Sequence, residues 1–61
     1  MKGTEILWNN KSTMNYFGDT LIIEKGEAGK IIWEEPNPDQ YLVEFQNVRF
    51  YAILNKQFTL K

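Results

Sequence analysis

Thr20-Leu21-Ile22-Ile23-Glu24-Lys25, then Gly26-Glu27-Ala28-Gly29, then Lys30-Ile31-Ile32-Trp33-Glu34-Glu35 is the stretch on which the fold turns. The first run is short and rich in β-branched residues, which suit a pleated, half-buried surface. The four residues after it break the run, and the glycine at each end can take a positive φ. The second run repeats the pattern and adds a large aromatic ring. Pro36-Asn37-Pro38-Asp39 then stops it, because neither proline can donate to a sheet ladder. Two apolar runs of this length, each bounded by turn residues, are strands.

The same texture continues downstream. Tyr41-Leu42-Val43-Glu44-Phe45-Gln46 is a further strand, Asn47 marks a tight reversal, and Val48 to Leu54 is the next run. Asn55-Lys56-Gln57 is a short connection with room for a single 3₁₀ turn. Phe58-Thr59-Leu60 closes the chain as a brief last strand. Upstream, Thr4-Glu5-Ile6-Leu7-Trp8 forms a strand. The polar stretch Asn9, Asn10, Lys11, Ser12, Thr13 and Asn15 reads as a loop, with Met14 to Phe17 re-entering the sheet briefly or packing across its end. No window places apolar residues at i, i+3, i+4 and i+7 over three turns, so no helix is expected. Short strands spaced by Gly/Pro turns describe a small barrel or sandwich in one domain. Residues 1–17 would be an N-terminal strand and loop, and residues 18–60 the core.

Alternation assigns the faces. Glu44 faces water, so Leu42 shares its side, and Tyr41, Val43 and Phe45 point inward. Glu34 faces water, so Ile32 shares its side, and Ile31 and Trp33 point inward. Arg49 marks the outer face of its run and leaves Val48, Phe50, Ala52 and Leu54 for the core. Ile32, Leu42, Tyr51 and Ile53 then fall on nominally solvated faces of three consecutive strands. An apolar patch of this kind is either covered or used. Cover would come from residues 1–17, with Ile6, Trp8, Met14 and Phe17 supplying it. Use would make the patch, with Arg49 beside it, a partner-binding or self-association surface.

The chain has 61 residues, no cysteine and no histidine. So short a chain buries only about 60% of the surface its unfolded form exposes. Neither a disulfide nor a histidine- or cysteine-held metal can staple it. Nine aromatic residues must supply the core instead. The missing residue types are also the commonest general bases, nucleophiles and metal ligands, so catalysis by the chain itself is not expected. Glu34, Glu35 and Asp39 flank the proline turn, but no calcium-loop motif is present, and they read as a solvated hairpin tip. Gly26-x-x-Gly29 lacks the Lys-Ser/Thr of a phosphate-binding loop and opens no helix. No metal or cofactor is expected. Seven basic side chains face eight acidic ones, and no basic run exceeds one residue. There is no apolar stretch long enough to span a membrane and no signal peptide at Met1. The expectation is a complete, small cytoplasmic protein.

Gly18-Asp19, Lys25-Gly26-Glu27-Ala28-Gly29-Lys30-Ile31-Ile32 and Tyr41-Leu42-Val43-Glu44-Phe45 together resemble small SH3-like barrels of the KOW type. In those domains a strand led by Gly-Asp runs into a Gly-x-x-Gly turn and then an apolar strand. Tyr41 to Leu60 is similar to the end of the SH3-like electron-transport accessory group, which includes a photosystem I subunit and the β subunit of nitrile hydratase. The resemblance spans residues 18–60. It implies an all-β, five- to six-stranded SH3-like barrel that docks onto a larger assembly. KOW segments that touch nucleic acid tend to be basic at the turn, whereas here Lys25 and Lys30 alternate with Glu24 and Glu27.

Two functions follow as expectations. The first is a non-catalytic binding module, an accessory subunit or small regulator, acting on a larger protein through Ile32, Leu42, Arg49, Tyr51 and Ile53, or through an open sheet edge. A phage- or plasmid-type protein that occupies a host factor fits the small size, and a homodimer is compatible with the same face. The alternative is a KOW-like nucleic-acid-binding domain. Lys25, Lys30, Arg49 and Lys56 would then contact phosphates, while Trp8, Tyr16 and Tyr51 stack bases.

Overall fold

The computed structural model describes residues 2–34 and 40–61. Seven strands are present among the described residues: β1 (Glu5–Trp8), β2 (Ser12–Tyr16), β3 (Asp19–Ile23), β4 (Ala28–Glu34), β5 (Gln40–Phe45), β6 (Val48–Ile53) and β7 (Phe58–Leu60). Five of them form one curled antiparallel sheet in the order β6-β5-β4-β1-β7, and β2 and β3 form a separate hairpin. The fold is all-β, a small barrel of SH3-like type. Among the described residues, no helix is long and apolar enough to cross a membrane. The Pro36–Asp39 turn and its neighbour Glu35 lie outside the described residues.

β4 organises the barrel because it serves two partners. Its first half pairs with β1, through Glu5↔Lys30, Ile6↔Gly29 and Leu7↔Ala28. Its second half pairs with β5, from Lys30↔Glu44 to Glu34↔Tyr41. The sheet curls around Ile31, Val43 and Phe45, all essentially inaccessible to solvent. A parallel bridge between Leu54 and Phe58 carries the chain from β6 toward β7. The connecting turn is closed by the Ile53 carbonyl, which accepts from the Lys56 and Gln57 amides. Aromatic rings fill the interior edge-to-face, Trp8 against Phe45 at 5.2 Å and against Phe50 at 5.6 Å, and Tyr41 against Phe58 at 5.9 Å. Such pairs add about 0.5–1.5 kcal/mol each beyond their buried area.

Four sequence expectations change. The polar stretch after β1 is not a loop: Ser12–Tyr16 is β2, paired along its whole length with β3. This raises the strand count above the five or six expected. Residues 1–17 are also no appendage, since β1 lies between β4 and β7 and its Ile6 and Trp8 are buried core. They fill the interior and do not cover the outer face. Met14 packs against the same core, while Phe17 stands 91% exposed at the hairpin tip. The buried Trp8 indole donates to Ser12 Oγ at 3.0 Å, which ties β2 to β1.

Gly29 is the third change. It sits inside β4 and takes no positive φ; of the two turn glycines only Gly26 does, at 83°. Gly29 is needed for space, because a Cβ there would lie 2.6 Å from the Glu44 carbonyl and 2.6 Å from the Phe45 ring. Trp33 is the fourth. Ile31 pairs with Val43, and Trp33 pairs with the very next residue, Leu42, leaving Ile32 as the extra residue of a β-bulge. The bulge shifts the alternation by one, so Trp33 turns to the outer face and is 55% exposed.

Candidate binding face

The bulge assembles a site that simple alternation does not show. Trp33 on β4 lies beside Leu42 on β5, and Leu42 lies beside Tyr51 on β6. Val43, Phe45 and Ala52 are buried on the opposite face, so this row points outward. Neighbouring strands are about 4.8 Å apart, so the three side chains form one continuous ridge. Tyr51 is 52% exposed, Leu42 is half-buried between the two rings, and Ile53 extends the ridge at 38% exposure. Of the five residues expected at a binding face, Leu42, Arg49, Tyr51 and Ile53 share this surface. Ile32 is half-buried at the bulge. The sequence reading missed Trp33, and nothing local to Lys30–Glu35 marks where a bulge will fall.

Below the ridge runs a row of alternating charge. Glu5, Lys30, Glu44 and Arg49 are successive cross-strand neighbours on β1, β4, β5 and β6. Lys61 extends the row, its Nζ donating to Glu5 Oε2 at 2.9 Å, and Arg49 Nε donates to Glu44 Oε2 at 3.1 Å. The hydrogen bond and charge of Lys61, with a smaller contribution from Lys30, hold the Glu5 carboxyl below its ordinary range. An open hollow of about 410 Å³ lies along the belt among Glu5, Lys30, Glu44 and Asn47. Its lining holds two carboxylates, Glu5 and Glu44, and one basic side chain, Lys30.

The four basic residues considered for nucleic acid are not gathered into a basic groove. Lys30 and Arg49 both flank Glu44 in the belt. Lys25 sits in the β3–β4 turn between Glu24 and Glu27, and Lys56 lies in the turn before β7. Lys11 is itself paired with Glu24 at 3.8 Å. The three rings considered for stacking are also dispersed: Trp8 is buried, Tyr16 is at the hairpin tip, and Tyr51 is on the outer ridge. Among the described residues, no group of three or more Asp or Glu side chains could hold a metal; Glu35 and Asp39 lie outside them.

Comparison of the chain with protein-family models, with curated proteins and with solved structures finds no match.

Proposed function

We propose that this chain is a non-catalytic binding module that docks a larger protein onto the outer face of β4, β5 and β6. The observation that supports this reading is the Trp33–Leu42–Tyr51 row. It places two half-exposed aromatic rings around an apolar centre, with Ile53 and Arg49 beside them. Trp, Tyr and Arg dominate binding hot spots, and the two rings bury much area at little cost in side-chain freedom. The mixed charge belt beside the ridge suits a polar rim. It weighs against a polyanion, since every phosphate brought to Lys30 or Arg49 would also meet Glu44. The role is that of an accessory subunit or small regulator.

The test is capture of partners from the native host's lysate with immobilised wild-type chain and with Tyr51→Ala, Trp33→Ala and Ile53→Asp, each with and without nuclease. The variants should stay folded by circular dichroism and lose a protein that the wild type retains. Identical capture by all four baits, or capture that vanishes only with nuclease, refutes the proposal.

A further inference from the structure

We infer that the outer edge of β2 is a self-association edge, pairing antiparallel with β2 of a second copy of this chain. The argument starts from hydrogen-bond parity in the β2–β3 hairpin. Tyr16 and Asp19 close its two-residue turn and form a hydrogen-bonded pair. Alternation makes Met14↔Leu21 and Ser12↔Ile23 hydrogen-bonded pairs too. The N–H and C=O of Thr13 and Asn15 therefore point away from β3. The other edge of the hairpin checks this parity, because the Ile22 carbonyl, which the same rule sends outward, accepts from Gln46 Nε2 at 2.7 Å. At that edge one outward carbonyl is already taken up by the chain itself. The β2 edge pairs only with β3 among the described residues, and Thr13 and Asn15 are exposed.

Edge strands are ordinarily blunted by charge, proline or a bulge. Residues 12–18, Ser-Thr-Met-Asn-Tyr-Phe-Gly, carry no charge and no proline, and the β2–β3 register is unbroken. A second copy suits this edge for a reason of symmetry. Two β2 strands related by a two-fold axis at Met14 set Thr13 opposite Asn15 of the second copy, and Asn15 opposite its Thr13. Every outward N–H and C=O of these residues then finds a partner in one register, with no like charges opposed.

The experiment is sedimentation equilibrium and light scattering of the full chain up to about 1 mM, the upper range of a weak, wet interface. The expected result is reversible dimerisation from 7.2 kDa to twice that mass. Slowed exchange of the Thr13 and Asn15 amides should accompany it as concentration rises. Asn15→Pro removes only an outward donor. The double variant Thr13→Lys/Asn15→Lys opposes like charges across the axis and serves if the proline unfolds the hairpin. Each should weaken dimerisation about tenfold or more. Tyr51→Ala should leave it unchanged, which separates this edge from the outer ridge. A mass of 7.2 kDa at all concentrations overturns the inference. So does a dimer that survives both β2 variants, or one lost with Tyr51→Ala.

Discussion

Substituting Gly29 by alanine sets two physical effects against each other, and their sum has a sign. Gly29 lies in extended strand with no positive φ, so its backbone accommodates alanine. Considered through the unfolded chain alone, Gly29→Ala should stabilise by about 0.4–1 kcal/mol, because alanine has less freedom to lose. The folded state opposes this. The new Cβ would sit 2.6 Å from the Glu44 carbonyl and 2.6–2.7 Å from two atoms of the Phe45 ring. Neither neighbour can retreat easily. Glu44 is held in register between Lys30 and Arg49, and Phe45 is 1% exposed and wedged against Trp8 and Phe50. Overpacking of this kind costs about 1–3 kcal/mol. The net expectation is a loss of about 1–2 kcal/mol. A domain of this size holds only about 3–9 kcal/mol in total, and each kcal/mol lowers Tm by about 4–8 °C. Urea titration at constant m-value, with a parallel thermal melt, measures the change. Gly29→Ser should follow the same direction. A Gly29→Ala variant as stable as the wild type, or more so, would refute the claim that β4 and β5 approach too closely for any side chain there.

Phe17→Asn should raise stability by roughly 0.5–1 kcal/mol, because asparagine tolerates the positive φ of this two-residue turn and phenylalanine does not; an unchanged or lower Tm would count against the strain. Gln46→Ala should free the β2–β3 hairpin from the β5–β6 turn, since Gln46 Nε2 bridges the Ile22 carbonyl and Glu27 Oε2. Faster amide exchange should appear in β3 with a stability loss of at most about 1 kcal/mol, as expected of exposed hydrogen bonds. Glu5 should titrate below the ordinary carboxylate range by carbon-detected NMR, and Lys61→Met should move it back up. A depressed carboxylate stabilises the fold above its unfolded pKa, and that contribution disappears as pH falls through the folded value. The Lys61–Glu5 pair should therefore matter at neutral pH, vanish in acid, and weaken with added salt.

Much of the fold was legible in order along the chain. Strands β3 to β7 sit where apolar runs end at glycine, proline or asparagine. The inward set Val43, Phe45 and Ala52 follows from placing Glu44 and Arg49 in water, and Ile31 from placing Glu34 there. The candidate binding face was legible only in part. Leu42, Tyr51 and Ile53 could be placed outward by alternation, because β5 and β6 pair without a break from Gln40↔Ile53 to Phe45↔Val48. Trp33 could not, because its direction depends on a bulge. β2 was missed because its side chains are polar. Its strand character comes from pairing with β3 and from Met14 reaching the core, neither of which leaves an apolar alternation to read.

Taken alone, the sequence determines an all-β chain with glycine- and proline-set turns, an aromatic core and neither histidine nor cysteine. These are local properties, carried by residue type and a period of two. Three further features belong to the tertiary structure: the bulge at Ile32, the close approach at Gly29 and the edge of β2 left open among the described residues. The first two are set by how β4 lies against β5, in register at the bulge and in distance at Gly29, so the residues along β4 do not encode them by themselves. The bulge turns Trp33 outward and completes the ridge with Leu42 and Tyr51.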